Sequence, residues 1–155
     1  MIAEFRDYLK TLDVADYYYI GKIENIKEKV LGIYADSPTR RVEAIGGNGS
    51  YGTFGVRLLL HWNKNANETE ISARNLYEKI RYIKDVNMAN PDISALVTED
   101  DEVIETHNEE RIIANNSVHV QFIDWYYDEP IFVGTDANGV YEYVITGTIY
   151  YRKEQ

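Results

Sequence analysis

Alternation of apolar and polar positions dominates the chain and predicts a protein built mainly from β-strands. The clearest run covers residues 53–62, where one face carries only apolar side chains: Phe54, Val56, Leu58, Leu60 and Trp62. Leu59 interrupts the other face, which otherwise carries Gly55, Arg57 and His61. The pattern therefore predicts a central strand that is partly covered on both sides.

Further runs rich in β-branched and aromatic residues predict six more strands: 17–23, 29–35, 42–45, 118–127, 130–135 and 140–152. The polar stretch 24–28 is expected to join the first two strands as a turn. Residues 36–41, which include Pro38, are expected to form a loop. Asn138-Gly139 predicts a type I′ hairpin, because both central residues of that turn need positive φ.

Two segments have helical rather than strand spacing. Ile2, Phe5, Leu9 and Leu12 form one apolar stripe, and residues 13–16 are expected to end that helix. The second predicted helix is residues 63–84, with a buried stripe of Ala73, Leu76, Tyr77, Ile80 and Ile83.

The start and end of the second helix have their own sequence signals. Either Asn65 with Glu68 or Asn67 with Glu70 resembles a capping box, and residues 85–91 are expected to end the helix. With no repeat and no linker, we predict a single α+β domain over residues 1–155. It would have a mainly antiparallel sheet of about five to seven strands packed with two helices.

Charge and composition argue against several classes of function. The 155-residue chain has a formal net charge of −10 and a pI of about 4.7. Such a surface repels phosphate, which argues against broad binding to nucleic acid or to an anionic membrane. The absence of cysteine excludes disulfides and thiolate chemistry. The sequence predicts neither a signal peptide nor a membrane span, so we expect a soluble protein.

The stretch GNGSYG, residues 47–52, matches the dinucleotide-binding pattern G-x-G-x-x-G. That fingerprint requires a helix after the glycines, so that its N-terminus faces the pyrophosphate. The residues that follow alternate with a period of two, so the glycines join two strands. We therefore predict a flexible hairpin loop at 46–52, including Gly47, Gly49 and Gly52, and no cofactor.

Candidate catalytic and metal-binding residues are scattered. No two of His61, His107 and His119 have metal-ligand spacing. The acidic run Glu99–Glu102 (Glu99, Asp100, Asp101 and Glu102) lacks calcium-loop spacing. We predict no metal, no cofactor and no enzymatic activity. The alternative that stays open is a small-ligand or enzymatic α+β domain with its site near His61 and His119.

Several residues are candidates for protein–protein contact. The chain has fourteen tyrosines and four phenylalanines, and tyrosine is enriched at interfaces. Consecutive Trp125, Tyr126 and Tyr127 cannot all point to one side of a strand, so at least one ring is expected on an outer face. Interface and two-sided burial both remain open for them. Arg40 and Arg41 could dock onto an acidic neighbour, or they could serve solubility or form an ion pair at the end of a hairpin. Tyr51 is a further candidate contact residue.

Three segments together resemble a known family: YYIGKIEN, RRVEAIGG…SYGTFGVRLLLHWNKNANETE and EPIFVGTDANGVYEYVITGTIYY. They resemble the minor capsid proteins of tailed bacteriophages and prophages, which are similar to tail terminators of long non-contractile tails. The likeness spans about residues 17–151 and is lowest over 98–117. Its most specific parts are HWNKN before the capped helix and VGTDANGVYEYVI as the closing hairpin. Neither part carries a catalytic residue.

The resemblance implies a structural virion protein that assembles into a ring of six subunits. Such a ring caps the tail tube, joins it to the head-completion or connector protein, and lets DNA pass without specific binding. It would act at the tail–head junction of the virion, after assembly in the bacterial host cytoplasm. Residues 46–52 and 98–117 would be mobile loops that become ordered on assembly. A head-completion or connector role is the related alternative.

Overall fold

A computed structural model describes residues 1–23, 27–43, 49–88 and 118–153 of the chain. These residues form two helices and seven strands: α1 (Ile2–Thr11), β1 (Tyr17–Ile20), β2 (Val30–Glu43), β3 (Gly49–His61), α2 (Ala66–Ile80), β4 (Lys84–Met88), β5 (Val118–Trp125), β6 (Ile131–Thr135) and β7 (Tyr141–Lys153). The predicted α+β class is confirmed.

All seven strands belong to one sheet with the order β1-β2-β3-β7-β5-β4. The β1–β2 pair is parallel and the other pairs are antiparallel. β7 is long enough for two strands to pair with the same edge of it, one after the other. β5 pairs with its residues 147–153, and β6 pairs with its residues 141–144. The predicted mainly antiparallel sheet is therefore confirmed, and β7 spans it from end to end.

Both helices pack on one face of the sheet around a single apolar core. The cross-strand pairs Leu31–Leu60 and Ile33–Leu58 place their side chains on that face. The apolar stripe of β3 is buried as predicted. The largest fully buried side chains of the helices are Phe5, Leu9, Leu76 and Ile80. At about 25 cal/mol per Å² of buried apolar area, this core is the main stabilising contribution to the fold.

Two expectations about the first strands were wrong. β1 and β2 do not form a hairpin, because Tyr17 pairs with Val30 in parallel register. Residues 36–41 are not a loop but belong to β2, where the pairing with β3 shifts between Ala35 and Ser37 and between Ser37 and Arg40. Such bulges let a strand continue past residues that cannot keep a regular ladder, including a proline without an N–H group.

The glycine-rich stretch is also more ordered than predicted. β3 begins at Gly49, so Gly49 to Gly52 lie within the strand rather than in a hairpin loop. Gly52 pairs with Tyr151, and a Cβ added at Gly52 would lie 2.7 Å from the Tyr151 ring. A glycine is therefore required here by close packing of the aromatic ring. Gly47 lies outside the described residues.

The start of α2 follows the first of the two predicted capping patterns. The Asn65 side chain accepts a hydrogen bond from the backbone N–H of Glu68 at 3.1 Å. The predicted buried stripe is confirmed, including Ile83 just beyond the helix. The predicted end at residue 84 was wrong, because α2 ends at Ile80 and residues 84–88 form β4. β4 pairs antiparallel with β5, a partner that the local sequence does not reveal.

The β6–β7 turn differs from the type I′ turn that Asn138-Gly139 suggested. Gly139 has a positive φ of 81°, whereas Asn138 is not among the described residues with positive φ. The Gly139 N–H donates to the Asp136 carbonyl at 3.0 Å. The Asp136 carboxylate also accepts from the N–H groups of Asn138 and Val140. This side chain stabilises a type I turn followed by a left-handed glycine.

Candidate interaction surface

One exposed apolar region surrounds the short strand β6. We call it the β6 surface, and it consists of Tyr127, Ile131, Phe132 and Val133. Phe132 and Val133 are 50% and 52% exposed, and Tyr127 is 57% exposed. Large apolar side chains gathered in this way at a protein surface are typical of interaction sites.

The backbone of β6 is open as well. Among the described residues, β6 pairs with β7 alone, so its other side presents unpaired N–H and C=O groups. The pairing with β7 also shifts between Phe132 and Gly134, where Gly134 has a φ of 126°. An edge strand with exposed apolar side chains is a template for another chain, by backbone pairing or by side-chain burial.

A groove of about 370 Å³ separates the β6 surface from α2. Its floor includes Tyr143, whose ring centroid lies 5.3 Å from that of Phe132. On its α2 side Arg74 forms an ion pair with Glu70 at 2.8 Å. The groove is therefore aromatic at its base and charged along one rim, a combination that suits an aromatic or aliphatic anchor from a partner.

The surroundings of β6 are acidic. Residues 127–143 contain four carboxylates, Asp128, Glu129, Asp136 and Glu142, and no lysine or arginine. Asp128 and Glu129 are both exposed beside Tyr127. A partner that docks on the β6 surface therefore meets a negative potential around an apolar centre.

A second aromatic cluster lies on the opposite face of the sheet. We call it the aromatic ladder, and it consists of Tyr51 on β3, Tyr150 on β7 and Phe122 on β5. The rings of Phe122 and Tyr150 stack with centroids 4.4 Å apart, and Tyr51 lies 5.9 Å from Tyr150. Phe122 remains 45% exposed. Both described helices cover the other face, so neither of them packs over the ladder.

Cations and acids both occur on the strands around the aromatic ladder. The backbone register places Arg40 and Arg41 opposite Thr53 and Gly52. Arg152 is exposed and pairs in register with His119. Asp124 is exposed two residues after Phe122 on β5, and Asp85 Oδ1 lies 3.9 Å from His119 Nε2.

A buried polar cluster joins the β6–β7 turn to β3. His61 is fully buried, and its Nδ1 lies 2.8 Å from Glu142 Oε1. Its Nε2 lies 3.9 Å from Asp136 Oδ2 and has no hydrogen-bond partner among the described residues. The N–H groups of Val140 and Asn138, with His61 nearby, lower the pKa of Asp136 below its ordinary value. The cluster holds the turn in place from inside the fold.

The histidines of the alternative ligand or enzymatic site lie far apart. His61 pairs with Glu142 near the start of β7, and His119 pairs with Arg152 near its end. Ten strand positions separate these partners, or about 33 Å at 3.3 Å per residue. No group of three or more potential metal ligands occurs among the described residues. His107 and the acidic run Glu99–Glu102 lie outside them.

The predicted contact residues have different environments. Tyr126 and Tyr127 are exposed, which confirms that at least one ring of the Trp125–Tyr127 run lies outside the core. Trp125 is half-buried against the core, and its Nε1 donates to the Ile80 carbonyl at 3.3 Å. Tyr51 belongs to the aromatic ladder. The sequence therefore identified residues of both surfaces, Tyr127 and Tyr51, but did not show that they belong to two separate surfaces.

Phe122, Phe132 and Val133 were missed as surface residues. Residues 131–133 are three consecutive apolar residues directly after the exposed turn 126–129. Such a run on a short strand cannot be buried on one face alone, because successive side chains point to opposite faces. The prediction for residues 130–135 was a strand, and it did not say which of its side chains would be exposed.

A scan against protein-family models and a search of curated proteins found no match to this chain. Within the described ranges, no helix has the length and apolar character needed to cross a membrane.

Proposed function

We propose that this protein is a structural virion protein of a tailed bacteriophage or prophage, and that it assembles into a ring that caps the tail tube and joins it to the head. The observation that carries this proposal is the β6 surface, an exposed apolar edge in a charged protein. A subunit that functions in an assembly needs an exposed apolar surface to bury against its neighbour, and such patches mark interaction sites. The sequence resemblance given above supplies the biological setting.

A second feature of the molecule supports assembly. Exposed aromatic side chains occur in two separate clusters, with Tyr127 and Phe132 on the β6 surface and Phe122 on the aromatic ladder. Two separate contact regions per subunit are what a closed ring of identical subunits requires.

The charge of the protein fits the passage of DNA through such a ring. A net charge of −10 gives most of the surface a negative potential, which repels phosphate and keeps DNA from binding the wall. Six subunits are expected from the resemblance. A density map of the assembled ring in which the bore is lined by lysine and arginine would overturn this part of the proposal.

Assembly is expected to depend on concentration or on a template. Segments that become ordered on joining a neighbour cost free energy at that step, which keeps free subunits apart until the tail tube is present. Dilute protein should therefore be largely monomeric. At high concentration, or with tail tube protein, it should form rings.

The test combines negative-stain microscopy with mass measurement across a concentration series, with and without purified tail tube protein. Rings of uniform diameter that cap tube ends support the proposal. Rings that bind the head connector but ignore the tube would instead favour the connector role. A stable dimer that is indifferent to both concentration and tube protein would contradict both roles.

A further inference from the structure

We propose that the groove between β6 and α2 binds the arginine side chain of an extended segment of another protein, and that this segment pairs with the free edge of β6. This inference goes beyond the ring proposal, because it names the chemistry that the β6 surface recognises whether or not the subunits form a ring. Three observations support it: aromatic rings in the groove, unbalanced carboxylates beside them and an open strand along one side.

Three aromatic rings line the groove. Tyr143 pairs in register with Leu60 of the helix-covered core and, on its other side, with Phe132, so Phe132 and Tyr143 both lie on the side of the sheet that faces α2. Their rings are tilted by 50° with centroids 5.3 Å apart, and the exposed Tyr127 is the third ring. The face of an aromatic ring attracts a cation that lies within about 6 Å of its centroid, and in proteins that cation is most often arginine.

The size of the groove suits one side chain. Its volume of about 370 Å³ lies near the lower end of the range of ligand sites, about 300–1,000 Å³. The methylene stem of an arginine is an aliphatic anchor that packs on apolar surface. Its planar guanidinium can stack on an aromatic ring while its N–H groups bind a carboxylate in bidentate fashion, which a lysine ammonium cannot do.

The charged residues that line the groove leave one carboxylate unbalanced. They are Glu70, Arg74 and Glu129. Arg74 is paired with Glu70 at 2.8 Å, whereas Glu129 and the adjacent Asp128 are exposed and form no ion pair with a described residue. A cation that enters the groove therefore finds a free carboxylate beside the aromatic rings, and it has no need to displace Arg74.

The two segments around the groove are acidic as a whole. Residues 64–81, which include α2, carry four cations and three carboxylates, and residues 127–143 carry four carboxylates and no cation. Two of these carboxylates, Asp136 and Glu142, lie against the buried His61, so Asp128 and Glu129 are the ones exposed at the groove. The excess of negative charge favours the approach of a basic segment.

The open edge of β6 sets the direction of a partner segment. Side chains directly opposite each other in a β-ladder share a face, so a partner residue opposite Phe132 would face the groove. An arginine there would reach the rings while its own backbone pairs with β6, as in strand addition to a sheet edge.

The sheet of a second copy is a poorer source of such a segment. Its terminal strands β1 and β4 carry no arginine, and Arg40 and Arg41 belong to β2, between β1 and β3. We therefore assign the groove to a different protein.

The probe is the peptide acetyl-Thr-Val-Arg-Val-Thr-amide, titrated into isotopically labelled protein at dilute concentration and followed by NMR. Its matched control carries citrulline, which has the shape of arginine without the charge. We expect the arginine peptide to shift the resonances of Phe132, Tyr143 and the β6 backbone with a Kd of about 1 mM or tighter. The citrulline peptide should bind at least about tenfold more weakly.

Two variants test the charge and the rings separately. Glu129→Gln removes the free carboxylate and keeps its shape, so it should weaken the arginine peptide at least about threefold and leave the citrulline peptide unchanged. Phe132→Ser should weaken both peptides. The matched control is Asp16→Asn, an exposed carboxylate directly before β1 at the far end of the strand order, and it should bind like the unmodified protein. Circular dichroism of each variant checks that the fold is intact.

The outcomes also separate this inference from the ring proposal. Equal binding of the arginine and citrulline peptides, no binding of either at about 10 mM, or an unchanged affinity in Glu129→Gln would overturn it. Tighter binding of the peptide with glutamate in place of arginine would make Arg74 the anchor of an anion site instead. If the same resonances shift when the protein is concentrated without peptide, the groove belongs to a second copy. None of these results bears on whether the subunits form rings, which the mass measurement decides.

Discussion

Replacing Gly52 with alanine tests whether the glycine-rich stretch is a packed strand or a flexible loop. The added Cβ would lie 2.7 Å from the ring of Tyr151, closer than carbon atoms approach without displacement. Tyr151 is buried, and it pairs with Gly52 across the sheet, so its ring has little freedom to move away. A flexible loop would accept the alanine and would gain slightly from reduced chain entropy.

The expected size follows from the cost of overpacking a core, about 1–3 kcal/mol for an added methyl group that forces a shift. For a domain of this length, each kcal/mol lowers the melting temperature by about 2–4 °C. We therefore expect Gly52→Ala to lower the free energy of unfolding by about 2 kcal/mol. Urea unfolding followed by circular dichroism measures this difference directly.

A double-mutant cycle with Tyr151→Leu provides the matched control. Removing the ring costs stability by itself, but it also removes the atoms that the new methyl group would meet. Gly52→Ala should therefore be nearly neutral in the Tyr151→Leu background, giving a coupling of about 1–2 kcal/mol between the two positions. A neutral Gly52→Ala in the unmodified protein, or a cycle without coupling, would refute the packed-strand account.

Two further predictions concern the cap of α2 and the β6–β7 turn. Asn65→Ala removes the acceptor for the Glu68 N–H and should lower the free energy of unfolding by about 1 kcal/mol. Asn67→Ala, inside the helix, is the control and should change that free energy little. Equal losses for the two variants would contradict the cap. Because the folded pKa of Asp136 is lowered, its ionised form stabilises the protein above the unfolded pKa of about 3.9. That stabilisation is lost as the pH falls through the folded pKa. Asp136→Asn should therefore be less stable than the unmodified protein at pH 7 and closer to it at pH 3 in urea titrations; a stability difference independent of pH would refute this assignment.

The sequence predicted the fold well where the local pattern and the tertiary packing agree. The stripe of β3 and the buried face of α2 were correct, because each repeats with the period of its element over several turns or pairs. The Asn65 cap was identifiable because capping depends on a few neighbouring residues. Each of these features is determined by residues close together in the sequence, so it can be predicted without knowing which distant segments pack against it.

The errors occurred where distant residues decide the local structure. Residues 85–88 were expected only to end the helix, but they form a strand because β5 offers a pairing partner. Residues 36–41 contain a proline and polar residues typical of loops, yet β3 holds them in the sheet through bulges. The parallel pairing of β1 with β2 likewise depends on the path of the chain between them, which local patterns do not determine.

The candidate site was predictable only in part. Tyr51, Tyr126 and Tyr127 were recognised as contact residues by type, since tyrosine is enriched at interfaces. Their division between two opposite ends of β7 depends on the strand order, which no local pattern encodes.

The most direct test of the central claim is the mass and shape of the purified protein at high concentration, measured by native mass spectrometry with negative-stain microscopy. The account predicts closed rings of identical subunits, six by resemblance, that dissociate to monomers on dilution. They should form more readily when tail tube protein is added. A single species whose mass is the same at every concentration, with or without tube protein, would contradict it.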